Sequence, residues 1–156
     1  MAFPLTVTQT VSASASPVQV WRAFEAVAQW PTVMRALASA KLKPPGPLAA
    51  GQRILTRAVA GSNAANRDYH VLKAEAPHWL VLSVEDDEYR ALTRYEVVAR
   101  GTQDSDIVAT ATLDAVGLMQ SLRLLAWRAR ITPVLKTNTR ERAQAIADLA
   151  ERLAAA

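Results

Sequence analysis

Between residues 37 and 116 the chain alternates six strand-like segments with connections that are too short to contain a helix. The connections include the turn-forming runs "PPGP", "DDE" and "GTQDSD". Such neighbours must pair antiparallel, because a parallel pair needs a crossover of a dozen or more residues. A further strand is predicted over residues 3–12, where Leu5, Val7 and Val11 alternate with threonine. The sequence therefore predicts seven strands, six of them in a meander.

The stretch after the first strand, "SASPVQVWRAFEAVAQWP", predicts two short helices. Ser16 and Gln19 match a capping box, and Pro17 fits the first helical position. Trp30 precedes a proline and should leave helical geometry, so the second helix is expected to begin at Pro31. We expect Trp30 to fix the break between the two helices rather than to bind a ligand.

Residues 117 to 156 have the periodicity of a helix with one long stripe. Pro133 lies inside this pattern and predicts a kink or a break. One kinked helix and two separate helices, over residues 118–131 and 133–153, remain as alternatives. The stripe consists of Leu124, Trp127, Ile131, Leu135, Asn138, Arg142, Ile146, Leu149 and Leu153.

The order of strand, two short helices, six strands and one long helix indicates an α+β fold in a single domain over residues 1–156. We expect the sheet to curve around the C-terminal helix and to pack its inner face against it. The sequence leaves a monomer and a homodimer open.

Composition excludes several classes of function. The chain has no cysteine, which excludes disulfides, thiolate metal sites and a cysteine nucleophile. Its formal net charge is +4, and residues 117–156 hold seven basic and three acidic side chains. No nucleic-acid-binding motif accompanies this excess, so we expect no nucleic-acid partner. No segment has the pattern of a signal peptide or a spanning helix, and a cytoplasmic location is expected.

Several local patterns follow one another in a familiar order. They are the opening "SASPVQVWRAFEAVAQWP", the strand start "GPLAAGQRI", the turns "AEAPHWLVL" and "GTQDSDIVAT", and the closing helix "AIADLAERL". In this order they resemble the START-like helix-grip superfamily (SRPBCC), and in particular its polyketide cyclase/dehydrase branch. The resemblance covers nearly the whole chain. It implies a helix-grip fold, in which a seven-stranded curved antiparallel sheet wraps around the long C-terminal helix.

The resemblance also implies a cavity between the sheet and the C-terminal helix. Such a cavity would hold a small hydrophobic or amphipathic molecule, for example a lipid, a polyketide or an aromatic compound. We expect a ligand-binding protein; a polyketide cyclase/dehydratase-type enzyme and a membrane-surface lipid carrier, with transient membrane contact, are the alternatives. No cofactor and no metal are expected. Ligand access is expected near residues 44–51, residues 60–66 and the start of the last helix.

Tyr95, His70 and Arg142 are the candidates for acid/base chemistry in this cavity. Tyr95 lies on the apolar stripe of its strand, so its hydroxyl should meet either a backbone carbonyl or a ligand. Strand parity leaves the direction of His70 open, and His78 is expected in a solvated turn. The acidic run "DDE" at residues 86–88 is expected to be a hairpin turn rather than a carboxylate site.

Asn138 and Arg142 interrupt the apolar stripe of the C-terminal helix. If the stripe faces the sheet, the buried guanidinium needs an anionic or carbonyl partner. A phase slip at Pro133, or a side chain that extends to solvent, is the alternative. Trp127 and Ile131 either join the core or form a membrane-contacting patch with neighbouring arginines. The predicted ligand-binding residues are Tyr69, Val71, Leu82, Tyr95, Val97, Trp127, Ile131, Leu135, Asn138 and Arg142.

Overall fold

The computed structural model describes residues 4–62 and 64–156. Its single sheet has seven antiparallel strands in the order β1-β7-β6-β5-β4-β3-β2, so the meander closes back onto the first strand. The seven-stranded α+β arrangement predicted from the sequence is confirmed. The strands are β1 (Leu5–Ala13), β2 (Leu37–Lys43), β3 (Arg53–Ala58), β4 (Arg67–Glu75), β5 (Trp79–Glu85), β6 (Tyr89–Ala99) and β7 (Ser105–Ala115).

Alternation of apolar and polar residues decides which face of each strand is covered. In β1 the side chains of Leu5, Val7 and Val11 are buried, while the intervening threonines are exposed. Two of these threonines, Thr6 and Thr8, pair with threonines of β7 across the outer face of the sheet. The outer face is therefore polar and solvated, and the inner face carries the core.

Helix α1 (Pro17–Glu25) begins at the predicted capping box. The Ser16 hydroxyl accepts a hydrogen bond from the Gln19 amide, and the Gln19 side chain accepts one from the Ser16 amide. The second short helix differs from the prediction: it is a 3-10 helix over Val27–Thr32, with Pro31 inside it. Trp30 stays in this helix because its ring is buried and its indole nitrogen donates to the Ala23 carbonyl at 3.1 Å.

Helix α2 (Leu118–Ala155) is one continuous helix of 38 residues. The predicted alternative of two separate helices is therefore wrong. Pro133 lies within α2 and leaves the Ala129 carbonyl without its usual amide donor. Packing outweighs this local cost, because the half that follows the proline is anchored by buried residues such as Ile146 and Leu149.

The core lies between the inner face of the sheet, α1 and α2. Helix α2 packs mainly on β1, β7 and α1, and three fully buried alanines, Ala143, Ala147 and Ala150, lie in this part of the helix. Small side chains let the helix approach the sheet closely, on the side where β1 forms the edge. Helix α2 covers the inner face of β5, β4 and β3 less completely. In the described part of the chain, no helix is long and apolar enough to cross a membrane.

Candidate functional site

A partly enclosed cleft of about 860 Å³ lies where α2 leaves the sheet uncovered. One wall is the connection between the 3-10 helix and β2, residues 33–37. The inner face of β3 to β6 forms the floor, and the middle of α2, residues 138–148, forms the opposite wall. The cleft thus has the position between sheet and C-terminal helix that the sequence predicted for a cavity.

The deep part of the cleft is apolar and aromatic. Phe24, Trp30 and Leu82 line it, and most of each side chain is buried in the core of the protein. The rings of Phe24 and Tyr95 lie 5.0 Å apart in a tilted arrangement. Because both rings are held by the core around them, this surface is formed before any ligand binds.

Tyr95 places a polar group on this apolar floor. Its side chain is only 6% exposed, and no residue in the described ranges forms a hydrogen bond with its hydroxyl. Burial raises the pKa of Tyr95 to about 12, although the positive charge of Arg142 acts in the opposite direction. The hydroxyl is therefore neutral at physiological pH and free both to donate and to accept a hydrogen bond.

Charged side chains surround the mouth of the cleft. Arg35, Arg67 and Arg142 line it together with Glu141 and Asp148. Within the described residues, none of these three arginines forms an ion pair. Asp148 accepts a hydrogen bond from Gln144 at 2.9 Å, which occupies part of its capacity. The mouth therefore carries three unpaired guanidinium groups and a small positive excess.

Five predicted ligand-binding residues line the cleft together: Tyr69, Leu82, Tyr95, Asn138 and Arg142. Tyr69 belongs to the inward face of β4, which resolves the parity that the sequence left open. Asn138 and Arg142 are exposed, but they face the cleft rather than the core. Of the two alternatives that the sequence left open, the structure therefore shows an Arg142 side chain that reaches solvent, at the edge of the cleft.

The other five predicted ligand-binding residues lie away from the cleft lining. Val71 and Val97 face inward but are buried in the core. Ile131 and Leu135 are half-buried on α2, and Trp127 is 47% exposed. The three residues of α2 lie outside the lining because the first half of this helix lies beside the edge of the sheet. The cleft opens along the second half of the helix.

Neither histidine reaches the cleft. His70 is exposed and alternates with inward-facing Tyr69 and Val71, which decides the direction that the sequence left open and places this candidate outside the cleft. His78 is exposed in the turn before β5, as predicted, and its ring lies 3.3 Å from the Val97 carbonyl. In residues 4–62 and 64–156, no three histidine or acidic side chains gather as a metal-binding group.

The acidic run at residues 86–88 forms the predicted hairpin turn between β5 and β6. The Asp86 carboxylate accepts hydrogen bonds from the amides of Tyr89, at 2.7 Å, and Glu88, at 2.8 Å. These two bonds lower the pKa of Asp86. The carboxylate thus has a structural role at the surface.

Of the three segments expected near ligand access, one contributes to the cleft lining. Ala64 and Ala65 of the loop before β4 line the cleft. The loop over residues 44–51 does not, because it is held elsewhere: the Leu48 amide donates to Glu25, and Gln52 bonds the carbonyls of Pro44 and Pro47. The start of α2 also lies outside the lining.

Sequence reasoning missed the wall formed by residues 33–37 and the contribution of Trp30. Val33 and Met34 follow Pro31, where the second helix is predicted to begin, so the sequence predicts helix packing for them. The two arginines on this side of the mouth, Arg35 and Arg67, carried no local signal, since isolated arginines near turns are common on surfaces. Only the spatial closure of the sheet brings them together.

Comparison with protein-family models gives no match, and comparison with curated proteins gives none either. Solved structures do match over nearly the full chain. Norcoclaurine synthase of Thalictrum flavum, in complex with dopamine and hydroxybenzaldehyde, is 12% identical, with a TM-score of 0.73 over 99% of this chain and 88% of that one. A START superfamily protein of Mycobacterium smegmatis is 11% identical, with a TM-score of 0.72 over 95% and 98%.

The di-domain ARO/CYC BexL of the BE-7585A biosynthetic pathway is 15% identical, with a TM-score of 0.67 over 98% of this chain and 50% of that one. At such identities the likeness concerns the fold. The START-like helix-grip fold predicted from the sequence is confirmed by these neighbours.

Proposed function

We propose that the protein binds a small amphipathic molecule in the cleft between the sheet and α2. The observation that carries this proposal is the hydroxyl of Tyr95, which opens onto the cleft beside Phe24 and Leu82 and has no partner in the described residues. In the absence of a ligand, water can satisfy this hydroxyl, and a ligand that reproduces the hydrogen bond can take the place of that water. The cleft volume of about 860 Å³ lies within the range of about 300–1,000 Å³ that is usual for ligand sites.

The polar end of the ligand is expected to be anionic. Arg35, Arg67 and Arg142 surround the mouth without ion pairs in the described part of the chain, and guanidinium groups are suited to carboxylate, sulfonate or phosphate. The apolar body would rest on Phe24 and Trp30. The ligand would therefore be an aromatic, polyketide-like or lipid-like acid of modest size.

The structural neighbours support a small-molecule role. Norcoclaurine synthase holds dopamine and hydroxybenzaldehyde on the same fold. Fold likeness alone does not select a ligand, because unrelated functions share one fold. The proposal for this chain therefore depends on its own cleft residues.

A second candidate is an enzyme of the cyclase or dehydratase type, as in the ARO/CYC neighbour. Tyr95 favours this candidate in one respect, because a neutral hydroxyl can protonate a developing oxyanion. However, a pKa of about 12 leaves almost no tyrosinate at neutral pH, and neither histidine reaches the cleft. The remaining bases, Glu141 and Asp148, lie at the open mouth. Binding is therefore the favoured function.

A pair of fluorescent probes tests both parts of the proposal. Anilinonaphthalene sulfonate is an amphipathic anion, and N-phenylnaphthylamine is its analogue without the sulfonate. We expect both to bind. The variant Thr93→Trp, which places a ring in the cleft, should weaken both by about tenfold or more, which is about 1.4 kcal/mol.

A charge variant separates the polar end from the apolar body. Arg142→Gln should weaken the sulfonate probe by about three- to tenfold and the neutral probe by less than about twofold. Arg140→Gln, also exposed on α2 but outside the cleft lining, is the matched control and should change neither. If each probe bound Thr93→Trp with the same affinity as the wild type, the cleft would be refuted as the binding site. Native mass spectrometry of the purified protein would then show whether a bound molecule is retained at all.

A further inference from the structure

The first half of α2 leaves an unusually apolar surface uncovered. Leu118 is 74% exposed, Met119 72% and Leu122 51%, although a helix in a domain of this size normally buries such side chains. Of the eleven large hydrophobic side chains that are exposed in the described residues, seven lie between residues 116 and 134. The remaining ones are scattered singly. This concentration requires an explanation.

The exposed side chains form one continuous stripe. Leu118, Leu122, Leu125 and Ala129 follow each other at spacings of four, three and four, so they share one face of α2. The neighbouring face, with Ser121 and Leu124, is the one buried against the fold. This half of α2 is therefore an amphipathic helix whose second apolar face has no partner within the described chain.

The same segment holds the positive charge of the protein. Residues 115–140 contain five basic and no acidic side chains. Because the whole chain has a net charge of +4 and this segment one of +5, the remainder has a net charge of −1. The five are Arg123, Arg128, Arg130, Lys136 and Arg140. Arg123, Arg128 and Arg130 thus lie on the same stretch of α2 as the apolar stripe, and Lys136 and Arg140 follow it directly.

A tryptophan lies on the other side of the exposed face, about half a helical turn around α2 from the leucine stripe. Trp127 is 47% exposed, and the guanidinium of Arg130 lies over its ring at 4.6 Å from the centroid. Indole rings are enriched where one side meets water and the other hydrocarbon. The pair therefore presents an aromatic and a cationic group together.

These features select among the possible partners of the stripe. A second copy of the chain would place the three arginines of this surface against three others, which opposes association. A neutral apolar partner would gain nothing from the charges. We infer that residues 116–134, the docking helix, bind the surface of an anionic lipid bilayer, with the leucines in the acyl boundary and the arginines at the headgroups.

The docking helix is continuous with the cleft wall. Asn138 lines both the cleft and a small depression next to Pro133 and Val134. From Trp127 to Asn138 the helix rises about 16 Å, so bilayer docking brings the cleft mouth close to the lipid surface. This inference does not rest on the proposed ligand function, since it depends only on the exposed stripe and its charge.

Vesicle binding tests the inference. Full-length protein is sedimented with vesicles of phosphatidylcholine alone or with about one third phosphatidylserine. We expect binding to the anionic vesicles only, a blue shift of Trp127 fluorescence that is absent in Trp127→Phe, and weaker binding at high salt. The double variant Arg123→Gln/Arg130→Gln should lose about 30-fold in partitioning, at about fivefold per charge.

Matched variants elsewhere keep the test specific. Lys41→Gln/Lys43→Gln removes two exposed charges from β2 and should bind like the wild type. Leu118→Ser/Leu122→Ser should lose binding by about tenfold or more, whereas Leu72→Ser/Val98→Ser, exposed on the sheet, should not. Circular dichroism confirms that each variant is folded.

Several results would overturn the inference. They are equal binding to both vesicle types, unchanged binding of the docking-helix variants, and no vesicle binding at all. A concentration-dependent dimer that Leu118→Ser/Leu122→Ser abolishes, without vesicle binding, would identify a second copy as the partner instead.

Discussion

Tyr95 offers the most direct thermodynamic test of the cleft. The hydroxyl lies on an apolar floor with no protein partner in the described chain, and burial raises its pKa from 10.0 to about 12. Tyr95→Phe removes only the hydroxyl and keeps the ring against Phe24. At neutral pH we expect the free energies of unfolding of the variant and of the wild type to differ by less than about 0.5 kcal/mol, because no intramolecular hydrogen bond is lost.

The difference should emerge in alkaline solution. The unfolded chain releases the Tyr95 proton from pH 10 upward, whereas the folded chain holds it until about pH 12. The unfolded state therefore gains free energy first, and wild-type stability falls as the pH rises through this window. Two units of pKa correspond to about 3 kcal/mol in full, of which about 2 kcal/mol is lost by about pH 11.5.

The assay compares urea unfolding of the wild type and of Tyr95→Phe at about pH 8 and about pH 11.5. All other ionisable groups are common to both proteins, so their contributions cancel in the difference. The variant should be more stable than the wild type by about 2 kcal/mol at the higher pH. Tyrosinate absorbance of the folded protein reports the same ionisation independently.

Tyr89→Phe serves as the control, since it removes a half-buried tyrosine outside the cleft and retains Tyr95. It should show the wild-type loss of stability between the two pH values. If Tyr95→Phe instead parallels the wild type at both, the hydroxyl ionises normally in the folded state. The argument from the burial of the Tyr95 side chain would then fail.

Three further substitutions test the fold. Ser16→Ala should cost about 1 kcal/mol in urea unfolding, because the capping bond to the Gln19 amide is lost; an unchanged midpoint would mean that the cap contributes nothing. Pro133→Ala should stabilise the protein by up to about 3 kcal/mol, since it restores a donor for the Ala129 carbonyl; a loss of stability would show that the proline conformation is needed. Ala147→Leu should destabilise by about 1–3 kcal/mol through overpacking against the sheet, and a neutral result would contradict the close approach of α2.

Features that depend only on residues close in sequence were predictable. The alternation in β1, the capping box at Ser16 and the inward face of Tyr95 each depend on neighbours within a few residues. Local signals of this kind persist because burial of the same face favours them. The order of elements and the resulting fold followed from them.

Features that depend on distant contacts were not predictable. Trp30 remains helical before a proline because the fold buries its ring, and the residues after it become a cleft wall instead of a helix. In β4 the apolar residue Leu72 is exposed, next to a register shift between Val71 and Lys73, so alternation alone could not identify the inward side. Both outcomes are decided by tertiary packing.

The C-terminal helix shows how one stripe can serve different purposes along its length. The stripe predicted from the sequence is buried at Leu124 and Ile146, but between them Asn138 and Arg142 line the open cleft. The alanines draw α2 towards β1, so the strands from β3 to β5 remain uncovered opposite the polar pair. Arg142 is therefore neither desolvated nor simply at the surface: it faces a cavity in which the Tyr95 hydroxyl is neutral at physiological pH. A ligand that is apolar at one end and anionic at the other would contact both the floor of the cleft and the arginines at its mouth. Within the described residues, no side chain of the protein contacts both surfaces in this way.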